Sequence, residues 1–135
     1  MNGNKDIRWK QRFQNFEKAF LFFETAVDKE RYTPIEIGGL VQAFEFTFEL
    51  GWKTIKDFLY EQGLTTSYPR EVIKEGFQTK IIEDGHTWLL MLEKRNELSH
   101  TYNEEVAQLA VDIIKNKYFQ AIDQVYHFFK EKINE

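Results

Sequence analysis

Apolar residues recur along the first segment at alternating steps of three and four: Phe13, Phe16, Phe20, Phe23 and Val27. That spacing predicts one stripe of a helix running from about Ile7 to Asp28. Phe22 falls off the stripe and adds apolar surface on another face, either against a second subunit or as a single partly exposed ring. Thr33-Pro34-Ile35-Glu36 then has the form of a capping box, with a hydroxyl for a first-turn amide, Pro at the first helical position and a Glu to reach back. A second helix starts there and carries Ile37, Leu40, Val41, Phe44, Phe48, Ile55, Phe58 and Leu59 to a stop at Gly63. Gly38 and Gly39 each cost roughly 1 kcal/mol relative to Ala inside a helix, which predicts close approach by another backbone.

Leu64 to Tyr68 reads as a connection, after which Pro69 opens a short helix with Val72, Ile73 and Phe77 inward. Asp84 is the expected cap of a fourth helix from about Gly85 through Trp88, Leu89 and Leu92 to His100. Asn103 should cap a last long helix, with Glu104 and Glu105 in its first turn and Val106, Ala110, Ile113, Ala121, Val125, Phe128 and Phe129 on its apolar side. Neither a repeat nor a long linker divides the chain, so residues 1–135 form a single domain. The expected fold is all-α: an antiparallel four-helix up-and-down bundle with an additional short helix.

Composition narrows the function. A chain of 135 residues, 42% hydrophobic and 30% charged, suits one domain with a substantial core and excludes a multidomain enzyme. No apolar run approaches the ~20 residues that span a bilayer, and the opening MNGNKDIRWK lacks a signal-peptide core, so the expectation is a cytoplasmic protein with no membrane contact. The absence of Cys removes disulfides, thiolate metal sites and a Cys nucleophile. A net charge of -4 argues against a generally basic nucleic-acid surface but leaves room for a local basic pocket.

The fourth helix carries the informative anomaly. With Arg95 at zero on a helical wheel, Trp88 falls near ~20° and Leu92 near ~60°, and Ser99 (~40°), Asn96 (~100°) and His100 (~140°) extend that apolar arc. Buried polar groups must be paired or hydrogen-bonded. One arrangement pairs Arg95 with Glu45 or Glu49 of the second helix and uses His100 to cap carbonyls. The other is a pocket in which Arg95 binds phosphate through its planar fork, Asn96 orients the ligand and His100 exchanges a proton. Arg70 and Lys74, one turn apart on the short helix, either widen a phosphate-binding surface or are simply solvated. Glu97-Leu98-Ser99-His100 has the Glu-x-x-His spacing of di-metal bundles, but Glu97 projects to the solvated side and no second helical copy exists, so no metal site is expected.

Arg95-Asn96-Glu97-Leu98-Ser99-His100-Thr101-Tyr102 resembles the signature of the HEPN superfamily: an Arg, usually followed by Asn, four residues before a His, then one residue and a Tyr. Phe44-Glu45-Phe46-Thr47-Phe48-Glu49-Leu50-Gly51-Trp52-Lys53, Tyr68-Pro69-Arg70-Glu71-Val72 and Trp88 are similar to the nucleotidyltransferase substrate-binding proteins within it. The resemblance implies a small homodimeric bundle that serves a minimal nucleotidyltransferase, which supplies the catalytic acids, ATP and Mg. No Gly-rich phosphate loop, nucleophile elbow or Gly-Ser with paired acids occurs in this chain, so it should not transfer a nucleotide alone. Arg95, Asn96, Ser99, His100, Tyr102, Glu45 and Lys53 would bind the nucleotide or small-molecule substrate.

The alternative implied by the same resemblance is a metal-independent RNase toxin, with RNA as ligand, Arg95 and His100 as catalytic groups, and Tyr102 as the site where a nucleotidyltransferase antitoxin adds AMP. RNA scission needs a proton carrier and a cation at the scissile phosphate, which His100 and Arg95 would supply. Glu97, Glu104 and Glu105 give an RNA groove poor local electrostatics, which favours the binding role.

Overall fold

The computed structural model describes residues 3–98 and 104–135. Its elements are α1 (Gly3–Val27), α2 (Pro34–Glu61), α3 (Pro69–Gln78), α4 (Gly85–Lys94), α5 (Glu104–Ile113), a π-helical turn (Ile114–Tyr118) and α6 (Phe119–Ile133). Among the described residues there is no strand, and the fold is the expected all-α bundle. Three elements, α3, α4 and α5, have ten residues each, and α5 runs on through the π-helical turn into α6.

The predicted stripe of α1 forms the centre of the core. Phe13, Phe16, Phe20 and Phe23 are all buried, joined one turn earlier by Trp9. Phe22 is 65% exposed. The Thr33 hydroxyl accepts from the Glu36 amide while the Glu36 carboxylate accepts from the Thr33 amide, so the capping box that starts α2 is complete. At the other end Gly63 adopts a φ of 88°, a left-handed conformation that costs glycine little. The Thr47 hydroxyl donates to the Ala19 carbonyl and Arg12 bonds Asp57, cross-links that set α1 antiparallel to α2.

The last helical run closes the bundle over that pair. Phe20 and Tyr126 stack with centroids 4.2 Å apart, and Tyr118 stacks on Phe44 at 5.0 Å. The Tyr126 hydroxyl and the Lys130 ammonium both donate to Glu17, and these bonds hold its carboxyl below the usual range. Gln124 clamps the segment between α3 and α4: its amide nitrogen donates to the Ile81 carbonyl and its oxygen accepts from the Glu83 amide. Val106, expected inward, is 42% exposed, because the buried line of α5 runs through Ala107, Ala110 and Val111.

Close backbone approach occurs at glycines other than those predicted. No atom lies within 4 Å of a Cβ built on Gly38 or Gly39, so the expectation for that pair is corrected. A Cβ on Gly51 would meet Trp88 at 3.1 Å and Phe16 at 3.2 Å. Phe77, expected inward, is 52% exposed and lies over the Gly85 backbone, where an added Cβ would meet its ring at 2.8 Å. Gly51 therefore seats two aromatic rings on α2. Gly51→Val should lower stability by about 2 kcal/mol, because a β-branched side chain must displace rings packed on all sides. Thermal melts followed by circular dichroism measure it, and an unchanged melting temperature would show that the rings have slack.

Candidate functional site

Trp88, Met91 and Arg95 share one stripe of α4, so the packing that buries the first two aims the third. Trp88 and Met91 are completely buried, and the indole Nε1 donates to the Ala121 carbonyl at 3.2 Å. The Arg95 amide still bonds the Met91 carbonyl at 2.9 Å, but the Glu97 and Leu98 amides both turn back to the Lys94 carbonyl. Residues 95–98 thus tighten into turns, and α4 ends at Lys94 instead of continuing to His100. The inward wheel position expected for Asn96 is lost with the helix, and its side chain is exposed. Ser99, His100, Tyr102 and the expected cap Asn103 lie outside the described residues.

Arg95 finds its partner on α2. Its Nη1 donates to Glu49 Oε1, and its guanidinium lies 5.7 Å from the centre of the Phe48 ring. The other oxygen of the same carboxylate accepts from Trp52 Nε1 at 3.0 Å. Of the two arrangements open from sequence, the structure contains the ion pair with Glu49. Trp52 is 7% exposed and belongs to the core while its indole N–H borders the site. Lys53 is half-buried, with Nζ 6.0 Å from the Trp52 ring.

Glu45 stands one turn before Glu49, also half-buried. Burial, and then the charge of Glu49, pushes its carboxyl above the usual range. The structure therefore brings together Arg95, Glu49 and Trp52, with Glu45 and Lys53 flanking them on α2. Arg70 is elsewhere and pairs with Glu93 at 3.4 Å, and Lys74 is solvated. His86 and His127 are exposed.

Sequence reasoning missed the other side of α4. A groove of about 670 Å³ runs between α4 and the last helical run, with Leu90, Leu98, Val106, Leu109, Ala110 and Tyr118 among its lining. Tyr118 ends the π-helical turn and is completely buried, yet its hydroxyl has no hydrogen-bond partner among the described residues. Burial, followed by the charge of Glu97, pushes that phenol upward. No periodicity announces a π turn, so the sequence carried no signal for this arrangement.

Residues 11–131 match the family described as nucleotidyltransferase substrate binding protein like. The chain belongs to that family. It is 33% identical over 76 residues to the probable ribonuclease HepT of Haemophilus influenzae, a match covering 53% of this chain and 52% of that protein. The matched region thus spans about half the length of the curated relative. A Thermus thermophilus protein of known crystal structure superposes with a TM-score of 0.75 at 30% identity, covering 83% of this chain and 96% of that one. For this family member the resemblance carried by the Arg95 motif and the Phe44 to Lys53 stretch is thereby supported.

The geometry sets two expectations for stability. Arg95 and Glu49 both keep contact with solvent, so Arg95→Ala should cost only about 1 kcal/mol and lower the melting temperature by a few degrees. The effect should largely vanish in a Glu49→Gln background, and full additivity of the two changes would refute the pair. For Glu45 the folded protein favours the protonated acid, so its contribution to stability is present below the unfolded carboxyl pKa and lost as pH rises through the raised folded value. Glu45→Gln should therefore raise the melting temperature at neutral pH, with the gain shrinking towards zero on acidification. A gain that grew in acid would contradict the assigned shift.

Proposed function

We propose that this chain is the substrate-binding helical subunit of a two-component nucleotidyltransferase, acting in the cytoplasm as a homodimer beside a separate catalytic chain that holds ATP and Mg. The family match over residues 11–131 supports the pairing with a nucleotidyltransferase. The observation that carries the choice between binding and RNA scission is the Arg95 to Glu49 ion pair. A guanidinium already held by a carboxylate of its own chain, with Glu45 one turn away, is a poor cation for a scissile phosphate and a good fixed element of a binding wall. In this role Arg95, Asn96, Ser99, His100, Tyr102, Glu45 and Lys53 contact the nucleotide or small-molecule substrate. The homodimer covers the α4 to α5 groove, whose rim presents Leu109 at 68% exposure and Val106 at 42%.

The similarity to a protein described as a probable ribonuclease supports a second reading. There Arg95 and His100 are the catalytic groups of an RNase toxin, and AMP transferred to Tyr102 silences it. The two readings separate in one set of measurements. The purified chain should sediment as a dimer, bind a minimal nucleotidyltransferase, leave RNA intact and cause no growth arrest when expressed alone. RNA cleavage abolished by His100→Ala would overturn the binding role in favour of the toxin. A monomer at micromolar concentration would remove the dimer from either reading.

A further inference from the structure

Two cations, Arg8 and Lys56, meet away from Arg95, in a cavity between the N-terminal part of α1, the C-terminal part of α2 and the segment that leads to α3. The cavity measures about 220 Å³ and is lined by Arg8, Lys56, Asp57, Tyr60 and the hydroxyl run Thr65, Thr66 and Ser67. The Arg8 guanidinium lies 5.1 Å from the centre of the Tyr60 ring, which holds it at the rim. Lys56 is half-buried and makes no ion pair among the described residues.

We propose that this cavity is a binding site for the phosphoryl group of a small phosphate ester or for inorganic phosphate. The lining offers donors in excess. Arg8 and Lys56 carry full positive charge and have no acceptor function. The Thr66 Oγ1 atom is buried with no hydrogen-bond partner among the described residues, an arrangement that is costly unless a ligand or water meets it. The amides of Thr65, Thr66 and Ser67 donate to no carbonyl of a described residue, because the helical bonding of α2 ends with Leu64 N to Leu59 O and that of α3 begins with Val72 N to Tyr68 O.

Among the described residues the lining holds one carboxylate, and it is already engaged: Asp57 Oδ2 accepts from Arg12 Nε at 3.0 Å. A ligand that fits many donors and two cations must be rich in acceptors and negatively charged, and a tetrahedral phosphoryl group meets both demands. The space has room for that group with a partial hydration shell. Lys56 lies two turns beyond Glu49 on the same face of α2, about 10 Å along the axis, so the site is separate from the Arg95 pair. It does not rest on the nucleotidyltransferase role.

The test is calorimetric titration of the intact chain with inorganic phosphate, AMP and adenosine, against chloride at matched ionic strength. Wild type should bind phosphate with millimolar or better affinity, and adenosine, which carries no phosphoryl group, should not compete with it. Arg8→Gln with Lys56→Gln, both at solvent-accessible positions, should weaken phosphate binding at least tenfold while the melting temperature stays near wild type. Thr66→Val removes the orphaned hydroxyl at nearly constant volume and should weaken phosphate binding several-fold without lowering stability. Phosphate affinity unchanged in the double variant would overturn the proposal. So would a wild-type response to phosphate no larger than the response to chloride.

Discussion

The seating of Trp88 on Gly51 fixes where everything else in the site can be. The indole packs against the α2 backbone at Gly51, where a side chain is absent, touches Phe48 at 5.5 Å between centroids, and donates to Ala121 on α6. A ten-residue helix has too little surface to define its own position by general burial, so this three-way contact determines both its depth and its rotation. Arg95 follows Trp88 by seven residues, two helical turns, and so emerges on the same side and over the same ring, Phe48. Its reach to Glu49 is a consequence of packing two turns away.

That pair changes how the motif works electrostatically. Glu49 divides its two oxygens between a guanidinium and an indole N–H, and so ties the end of α4 to α2 through one carboxylate. Glu45, one turn earlier on the same stripe, is disfavoured as an anion by burial and then by the like charge of Glu49. An anion approaching Arg95 meets these two carboxylates as well as the cation. The arrangement is suited to holding a rigid wall, or a ligand with a positive or neutral polar face, more than to concentrating phosphate.

Much of the fold was legible because local chemistry and tertiary demand agree. The stripe from Phe13 to Phe23, the Thr33 capping box, the Asp84 cap and the stop at Gly63 each rest on a few neighbouring residues. What was not legible depends on partners distant in sequence. Gly51 looks ordinary in the primary structure, whereas Gly38 and Gly39 attract suspicion as a pair, and only the arrival of Phe16 and Trp88 decides which backbone is approached. Extending α4 to His100 followed the apolar wheel correctly up to Arg95. The amides of Glu97 and Leu98 then turn back to Lys94, a change of local geometry that leaves no mark on hydrophobic periodicity. Arg95 itself was placed inward by the same wheel, and Glu49 was among its two expected partners.

The outer stripe of α2 orders its charges along the axis. Glu45 and Glu49 come first, then Lys53 and Lys56, all at intervals of three, four or seven residues and therefore on one side of the helix. Arg95 neutralises part of the acidic half from α4, while Arg8 adds to the basic half from α1. Glu45 and Lys56 stand about 16 Å apart along the axis, beyond the roughly 8 to 10 Å over which exposed charges act at physiological ionic strength, so the two ends of the stripe are felt separately by a small ligand. An anionic group drawn to this face moves away from the HEPN-like motif and towards Lys56, and a cationic group moves the other way. A ligand carrying both would lie along α2 in one orientation only, and that orientation is set by the order of four side chains on a helix whose start is fixed by Thr33 and whose end is fixed by Gly63.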